Sequence, residues 1–254
     1  MTDVVVLLGQ HIGYSASPAV HNAAFAALDL DGRYELADVS PDGLADAVGA
    51  LRGPGRVGAN VTQPHKLAVC DLVDQLAPEV ERLGAANTIV RRDSRLVAHN
   101  TDLPALAAEL ADLGSFRIAA VLGAGGASRA VQASLADVGV AVRVVDRAGW
   151  GSLPDALTGA DLVVNATPIG TGTDESPVPA ELLRPEMAVL DLVYRPSPTR
   201  LVREARAAGA NARDGGGMLL RQASASFELW TGRRAPVDVM RAALRTELDG
   251  QADG

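Results

Sequence analysis

A glycine-rich stretch between two apolar runs constrains the fold more than any other feature of this sequence. The stretch reads Gly123-Ala124-Gly125-Gly126-Ala127-Ser128. The apolar run 118–122 before it is typical of a strand buried in a parallel sheet. Residues 128–139 have the pattern of a helix that ends at a glycine, and residues 141–145 form a second predicted strand. The order of strand, glycine turn, helix and strand predicts a βαβ unit.

This βαβ unit indicates a dinucleotide site. Glycine lets the backbone turn tightly and approach a pyrophosphate, and the amides at the helix N-terminus are donors for its oxygens. Asp146 ends the second strand about 20 residues further on, the spacing expected of an acid that binds a ribose hydroxyl. Ser128 stands where the fingerprint has Gly or Ala, which is a small departure. The alternative is a glycine turn with only a structural role.

Composition and charge exclude several classes of protein. A length of 254 residues suits one large or two modest domains. The net charge of −8, without a basic run, argues against nucleic-acid binding. The single cysteine, Cys70, cannot form an internal disulfide, which favours the cytoplasm. No run of about 18 apolar residues occurs, so we expect no membrane partner.

Two serines follow the first predicted strand, residues 4–9. Ser17 is a favourable N-cap and Pro18 a favourable first residue for a helix over residues 19–28. That interpretation leaves Ser15 without a role. Two hydroxyls this close together at a helix N-terminus are alternatively a site for a ligand carboxylate, and both interpretations remain open.

Lys66 breaks a local rule. After a predicted strand over residues 57–62, Thr62 is expected to cap a helix over residues 64–72, which places Lys66 in the first turn. A cation is disfavoured there by the helix dipole. The dipole and partial burial both disfavour the charged form of the amine, which suits proton transfer. A residue that breaks a local rule is a candidate for function, and a solvated surface lysine is the alternative.

Asp102 lies between a predicted hairpin, residues 83–99 including the turn that enters it, and a helix with apolar residues at helical spacing. Its position at the start of that helix is compatible with a purely structural cap. The helix leads directly into the glycine-rich unit, so we interpret it as the link between two domains.

The rest of the chain alternates predicted strands and helices. Further strands are expected at residues 33–39, 160–165 and 187–194, with a short one near 211–213. Further helices are expected at residues 42–51, 153–157, 199–208, 219–230 and 236–248. The polar residues 171–179 predict a mobile surface loop.

Together these segments resemble the shikimate dehydrogenase family. The matching segments span nearly the whole chain in the family's order and are Ser15-Ala16-Ser17-Pro18 with His21-Asn22, Asn60-Val61-Thr62-Gln63-Pro64-His65-Lys66, Ala86-Asn87-Thr88, Asn100-Thr101-Asp102, Gly123-Ala124-Gly125-Gly126-Ala127-Ser128, Asn165-Ala166-Thr167-Pro168-Ile169-Gly170, and Gly217-Met218 with Gln222. The resemblance implies an α/β fold with an N-terminal α/β substrate domain, residues 1–102 joined by C-terminal helices over 219–254. It also implies a Rossmann-type, doubly wound parallel-sheet nucleotide domain at 103–218.

The resemblance implies reversible oxidation of shikimate at its C3 hydroxyl to 3-dehydroshikimate, by hydride transfer to NAD or NADP. This is a step of the chorismate pathway to aromatic amino acids. Lys66 and Asp102 would form the acid–base pair. Contacts with the substrate are implied for Ser15, Ser17, Thr62, Asn87, Asp102, Tyr194 and Gln222, with the two serines holding its carboxylate. Contacts with the cofactor are implied for Gly123, Ala124, Gly125, Gly126, Ala127, Asp146, Arg147, Thr167, Leu192, Gly215 and Met218. No metal is required, because the nicotinamide carries the hydride.

The sequence departs from the family's pattern at several positions. Tyr14 replaces a common histidine, His65 an aromatic residue, and Leu103-Pro104-Ala105 stands where glycines are common. NADP-using relatives commonly carry Asn-Arg-Thr or Asn-Arg-Ser where this chain has Asp146-Arg147-Ala148. A carboxylate accepts hydrogen bonds from a free ribose hydroxyl and repels a phosphate. We therefore predict a preference for NAD, while Arg147 leaves the use of NADP open.

Three alternatives remain at the level of sequence. The main substrate is alternatively quinate or an amino analogue, aminoshikimate or aminoquinate. A non-catalytic ligand-binding relative is a second alternative, although the intact Lys66 and Asp102 argue against it. Another two-domain dehydrogenase, for instance of methylene-tetrahydrofolate, fits the serine pair and Asp102 poorly. Either a monomer or a homodimer is expected.

Overall fold

The computed structural model describes residues 2–250, which divide into two compact units. The first unit comprises the chain up to Asp102 together with the chain from Leu219 onward, and the second comprises Leu103–Met218. Among residues 2–250, no helix has both the length and the apolar character that a membrane span requires.

The strands and α-helices follow one another along the chain as β1 (Asp3–Gly9), α1 (Ser17–Ala27), β2 (Gly32–Asp38), α2 (Leu44–Ala50), β3 (Arg56–Val61), β4 (Gln75–Leu76), α3 (Pro78–Leu83), β5 (Thr88–Arg92), β6 (Arg95–His99), α4 (Asp102–Leu113), β7 (Ile118–Leu122), α5 (Gly126–Ala136), β8 (Ala141–Val145), α6 (Leu153–Leu157), β9 (Leu162–Asn165), β10 (Ala188–Asp191), α7 (Arg200–Ala207), β11 (Asn211–Arg213), α8 (Gly216–Thr231) and α9 (Val237–Asp249).

The first unit contains a mixed sheet of six strands in the order β2-β1-β3-β5-β6-β4. β1 pairs in parallel with β2 and β3, whereas β5 is antiparallel to both β3 and β6. The predicted hairpin is therefore confirmed as β5 and β6. Buried apolar side chains such as Leu8, Ala59 and Ile89 form the core on this sheet.

The second unit contains a parallel sheet of five strands in the order β11-β10-β9-β7-β8. If β7 is counted as strand 1, this is the doubly wound order 2-1-3-4-5. The chain adds β8 on one side of β7 and the later strands on the other side, so the switch point lies between β7 and β9. Ligands of such sheets bind beyond the carboxyl ends of the strands at that reversal. The α/β fold class and the βαβ unit of β7, α5 and β8 are confirmed.

The apolar run that predicted β7 is explained by its position inside the sheet. Ala119, Ala120, Val121 and Leu122 have no exposed surface. A central parallel strand is covered on both faces, so its sequence is continuously apolar and does not alternate.

The predicted helix over residues 64–72 is wrong. These residues form turns followed by a short 3₁₀ helix, Ala68–Asp71. The Lys66 carbonyl accepts a hydrogen bond from the Ala86 amide at 2.8 Å, which occupies an oxygen that a helix would use internally. Lys66 therefore does not lie in the first turn of an α-helix, and its predicted position against a helix dipole is also wrong.

The predicted cap of α1 is wrong as well. The helix begins at Ser17 itself, and Ala16 at the cap position has no side-chain acceptor. Ser15, which had no structural role in the sequence, accepts a hydrogen bond from the Ser17 amide through its Oγ at 3.3 Å.

The predicted surface loop at 171–179 is only partly exposed. Residues 172–175 are exposed, but Val178 is completely buried in the core of the second unit. Asp174 forms an ion pair with Arg203, and its carbonyl accepts a hydrogen bond from Arg200 at 3.2 Å.

Candidate active site

Lys66 and Asp102 form an ion pair in the first unit. Lys66 Nζ donates to Asp102 Oδ2 at 2.7 Å, and the two side chains are 17% and 5% exposed. Lys66 lies in the turn after β3, and Asp102 is the first residue of α4, where a helix favours a negative charge. Because little water screens the pair, their attraction is stronger than that of a surface pair. The amine is thus held at a fixed position.

Asn87 orients the carboxylate of Asp102. Asn87 Oδ1 accepts a hydrogen bond from the Thr101 amide at 2.8 Å, and an amide N–H can only donate. The NH₂ group of Asn87 must therefore point the other way, where its Nδ2 donates to Asp102 Oδ1 at 2.8 Å. Both carboxylate oxygens of Asp102 are engaged, one by Asn87 and one by Lys66.

Gln222 completes the cluster from α8. Its Oε1 lies 3.4 Å from Asn87 Nδ2, and its own Nε2 donates to the Leu219 carbonyl at 3.1 Å. The structure thus brings together four residues that are far apart in the sequence, Lys66, Asn87, Asp102 and Gln222. Their contacts with a substrate remain a prediction.

A buried network of neutral polar side chains supports this cluster. Asn60 Nδ2 lies within 3.1 Å of Thr88 Oγ1 and Ser226 Oγ and 3.0 Å from the Asn87 carbonyl, while Asn60 Oδ1 accepts from Tyr34 Oη at 2.8 Å. Asn60, Thr88 and Ser226 are at most 4% exposed. The sequence interpretation gave Asn60 and Thr88 no role, although an asparagine inside the apolar strand β3 is a signal of a buried hydrogen-bond network.

Three hydroxyls predicted to bind substrate lie elsewhere in the same unit. Ser15 and Ser17 lie at the N-terminus of α1, and Thr62 follows β3 directly. A Cβ on Gly9 would lie 2.4 Å from Thr62 Cγ2, so the glycine leaves the space that Thr62 occupies. Within residues 2–250, no hydrogen bond joins these hydroxyls to Lys66, so their shared role also stays a prediction.

His21 and Asn22 of the first motif both contact Tyr34 and have structural roles. His21 is completely buried and stacks on Tyr34 with ring centroids 4.4 Å apart. Burial lowers the pKa of His21 to about 3, so its imidazole is neutral near pH 7. Asn22 exchanges hydrogen bonds with the backbone of Tyr34 at 2.8 and 3.1 Å, which joins α1 to β2.

The glycine-rich turn of the second unit has features that are typical of a pyrophosphate site. Gly123 has a φ of +108°, and a Cβ there would lie 2.8 Å from the Ala166 carbonyl oxygen. A Cβ on Gly125 would meet nothing within 4 Å. α5 begins at Gly126 with no side-chain cap in the described part of the chain, so its first amides remain donors. Ser128 Oγ donates to the Gly123 carbonyl at 2.7 Å, which gives the departure from the fingerprint a structural role.

Asp146 and Arg147 lie exposed after β8. Asp146 Oδ1 accepts a hydrogen bond from the Gly149 amide at 2.7 Å, which fixes the carboxylate. Its Oδ2 and the Arg147 guanidinium have no partner among the described residues, so an acceptor and a cation are both available to a ligand. The residues after β8 therefore fit the adenosine end of a dinucleotide chemically.

The other predicted cofactor residues also lie in the second unit. Thr167 Oγ1 donates to Asn165 Oδ1 at 2.6 Å. A Cβ on Gly215 would lie 2.2 Å from the Leu192 carbonyl oxygen, so these two predicted residues touch and glycine is required. Met218 is 8% exposed.

Tyr194 is partly buried in the turn after β10. It lies in the second unit, whereas the other predicted substrate residues lie in the first. Its contact with a substrate stays a prediction.

Comparison with known proteins identifies the family. The family description "Shikimate dehydrogenase substrate binding domain" matches residues 7–89, and "Shikimate 5'-dehydrogenase C-terminal domain" matches residues 215–245. Shikimate dehydrogenase (NADP(+)) of Haloarcula marismortui is 42% identical over 97% of this chain and 100% of its own length.

Two solved structures share the fold across nearly the whole chain. Shikimate 5-dehydrogenase from Thermus thermophilus, in complex with NADP(H) and shikimate, has 36% identity and a TM-score of 0.88 over 97% of this chain and 100% of its own. Quinate dehydrogenase from Corynebacterium glutamicum, in complex with NAD, has 29% identity and a TM-score of 0.83 over 96% and 99%. The chain therefore belongs to the shikimate dehydrogenase family of NAD(P)-dependent oxidoreductases.

Proposed function

We propose that this protein oxidises shikimate reversibly at its C3 hydroxyl, with a nicotinamide cofactor as the hydride carrier. The unit up to Asp102, with the chain from Leu219 onward, binds shikimate, and Leu103–Met218 binds the nucleotide. The observation that carries the proposal is the buried 2.7 Å contact between Lys66 and Asp102. It supplies the proton-transferring group that the reaction needs.

Oxidation of a ring hydroxyl removes a proton as well as a hydride, so a positioned base must take up the proton. The Lys66 amine in its unprotonated form takes up this proton and becomes the ammonium, and in the reverse direction the ammonium protonates the developing alkoxide. Asp102 stabilises the ammonium form and holds it in place. When bound, the nicotinamide accepts or supplies the hydride.

The use of lysine at this position supports an acid–base role. The sequence has 23 lysine and arginine residues, and Lys66 is the only lysine among them. Arginine remains protonated in proteins and cannot take up a proton, whereas lysine can. The chain thus has lysine only where the proposed reaction requires a cation that can lose its proton.

The hydroxyls of Ser15, Ser17 and Thr62 bind the substrate in this proposal. Ser15 and Ser17 donate to its carboxylate at the N-terminus of α1, where the helix dipole favours an anion. Thr62, together with Asn87 and Gln222, binds the ring hydroxyls. Tyr194 contributes a further contact from the turn after β10.

The second unit holds the cofactor in this proposal. The first amides of α5 and the turn from Gly123 to Ala127 bind the pyrophosphate. Thr167, Leu192, Gly215 and Met218 contact the nicotinamide half. Asp146 accepts a hydrogen bond from the adenosine ribose, and Arg147 lies over the adenine end.

Asp146 supports a preference for NAD. Its unoccupied Oδ2 suits a free ribose hydroxyl and repels the additional phosphate of NADP. The Haloarcula relative is named an NADP(+) enzyme, whereas the quinate dehydrogenase structure contains NAD. The variant Asp146→Asn separates repulsion of the NADP phosphate by Asp146 from its attraction by Arg147, because it removes the carboxylate charge and keeps the cation.

Initial rates test these proposals in a grid of shikimate and quinate against NAD and NADP. We expect turnover of shikimate with a higher kcat/KM for NAD, and a shift towards NADP in Asp146→Asn. A higher kcat/KM for NADP in the wild-type protein would refute the cofactor preference alone. Absence of turnover in every combination, with an intact fold, would refute the catalytic proposal and favour a ligand-binding relative.

Quinate is the second candidate substrate. The similarity to the Corynebacterium glutamicum quinate dehydrogenase over 96% of the chain favours it. Quinate also carries a carboxylate and ring hydroxyls, so the same serines and amides suit it. Its saturated ring and additional hydroxyl require more space, and the kcat/KM ratio between the two substrates decides between them.

A further inference from the structure

A buried carboxylate ends strand β10 of the second unit. Asp191 is 1% exposed and forms no ion pair with the described lysine and arginine side chains. A buried charge without a counter-ion is costly unless hydrogen bonds replace its hydration. Its hydrogen-bond partners are neutral, and the charged group that acts on it is another carboxylate, Asp214.

Three segments of the chain meet at this carboxylate. Asp191 Oδ1 accepts hydrogen bonds from Asn165 Nδ2 at 2.8 Å and from the Val193 amide at 3.0 Å. Oδ2 accepts from Thr199 Oγ1 at 2.7 Å, and Thr199 caps α7 by accepting from the Val202 amide at 3.2 Å. The carboxylate therefore joins the loop after β9, the turn after β10 and the start of α7.

Asn165 transmits the position of Asp191 to the loop 166–170. Because an ionised carboxylate only accepts, Asn165 must point its NH₂ group at Asp191. This orientation leaves Asn165 Oδ1 to accept from the Thr167 amide at 3.0 Å and from Thr167 Oγ1 at 2.6 Å. Thr167 Oγ1 in turn accepts from the Ile169 amide at 3.2 Å, so the loop is folded around the Asn165 side chain.

We propose that Asp191 and Asn165 are positioning residues that set the loop 166–170 and the turn 192–194 for the nicotinamide cofactor. The inference rests on the proposed function, which places cofactor contacts at Thr167 and Leu192. Asp191 acts through its hydrogen bonds, not by touching the cofactor. The ionised form fixes the direction of the Asn165 amide, and with it the donors and acceptors that the loop presents.

The rival explanation is that Asp191 only anchors the cap of α7. Two substitutions that each nearly preserve the size of the side chain distinguish these explanations. Asp191→Asn changes the group that orients Asn165, whereas Thr199→Val removes a hydrogen bond to the same carboxylate and the cap of α7 but leaves the contact with Asn165. A merely structural role predicts the same pattern for both variants.

The test uses the full chain and measures Kd values for NADH and NADPH by calorimetry, Kd for shikimate, and amide hydrogen exchange at Thr167 and Ile169. In Asp191→Asn we expect the dinucleotide Kd to rise by about fivefold or more, the change expected from one lost hydrogen bond. Exchange at both amides should accelerate. The Kd for shikimate should rise less than the dinucleotide Kd, because among its proposed contacts only Tyr194 lies in the turn 192–194 and the others belong to the first unit. Thr199→Val should lower Tm and leave the dinucleotide Kd unchanged.

Wild-type dinucleotide affinity in Asp191→Asn, with unchanged exchange at Thr167, would overturn the proposal. An equal loss of dinucleotide affinity in Thr199→Val would overturn it in favour of the structural explanation. A wild-type protein that binds neither NADH nor NADPH would instead refute the proposed function, and the exchange rates would still decide whether Asp191 orders the loop.

Discussion

Asp102 in the first unit and Asp191 in the second are both buried carboxylates, but they have opposite kinds of partner. Asp102 binds the Lys66 ammonium through one oxygen and the Asn87 amide through the other. Asp191 has only neutral donors, from Asn165, Val193 and Thr199. The first carboxylate holds a group that can exchange a proton, and the second holds segments of backbone.

The difference is visible in the electrostatics of Asp191. Burial raises the pKa of Asp191 to about 6, although hydrogen bonds from Thr199, Val193 and Asn165 oppose the rise. The charge of Asp214 adds to it. A carboxylate with no cation nearby is thus less easily ionised, and its geometry depends on hydrogen bonds alone.

Removing the charge of Asp102 gives the larger effect in this comparison. In Asp102→Asn, Lys66 loses its counter-ion and the new amide faces the NH₂ group of Asn87. We expect kcat/KM for shikimate to fall by about 100-fold or more, in the range found for groups that support proton transfer. Steady-state rates measure this, with Asp112→Asn on the exposed part of α4 as a control for removal of a negative charge. A fall of less than threefold would contradict the role given to Asp102.

Removing the charge of Asp191 should change the pH dependence of stability. The pKa of about 6 in the folded protein lies above the ordinary value of 3.8, so between these values the folded state binds more protons than the unfolded state. This contribution to stability therefore falls as pH rises from about 4 through 6. The wild-type protein loses this contribution and Asp191→Asn does not. The unfolding free energy of the variant minus that of wild type should therefore increase by about 2 kcal/mol from pH 4 to pH 7.

Urea unfolding of both proteins at pH 4 and pH 7 measures this change. The contributions of the other carboxylates cancel, because both proteins contain them. A difference that does not depend on pH would show that Asp191 is not a destabilised carboxylate. Together with the expected loss of dinucleotide affinity, a gain in stability at pH 7 would show that the charge is kept for position at the expense of stability.

The Ser226 hydroxyl supports the residues around Asp102, and we expect its removal to have a smaller effect on kcat. Ser226 Oγ contacts Thr88, Thr101 and Asn60, all within 3.1 Å, and thereby braces the residues around Asn87. In Ser226→Ala we expect about 1 kcal/mol less stability and a fewfold lower kcat, because one buried hydrogen-bonding group is lost. Ser224→Ala is the matched control on α8, since Ser224 also donates to the carbonyl four residues earlier but contacts Met240 instead of the network. Equal kcat values in the two variants would show that Ser226 does not support the catalytic cluster.

The sequence was sufficient to predict the elements that depend on local pattern. The apolar run of β7, the glycine turn and the hairpin of β5 and β6 each have a signal within a few residues, and the structure contains all three. The residues of the proposed site are predicted from their motifs, and the structure brings Lys66, Asn87, Asp102 and Gln222 into one cluster.

The absent helix at 64–72 and the missed cluster around Asp191 share one physical cause, which is a hydrogen bond between residues remote in sequence. The helix expected at 64–72 is absent because the Ala86 amide takes the Lys66 carbonyl, and no local pattern encodes that contact. The cluster around Asp191 was missed for the same reason, because Asn165, Asp191 and Thr199 meet only when β9 and β10 pair. Local patterns predicted strands and turns, whereas networks of buried polar groups required the structure.

Proton transfer by Lys66 is tested by the kcat of Lys66→Arg, measured with shikimate under saturating cofactor. Arginine keeps the positive charge and the donors that face Asp102 but cannot take up a proton. We expect kcat to fall by about 1000-fold, within the range for a general acid–base group, with Tm retained and the Kd for shikimate changed by less than about tenfold. A Lys66→Arg protein that keeps more than a tenth of the wild-type kcat would contradict the proposal that Lys66 transfers the proton.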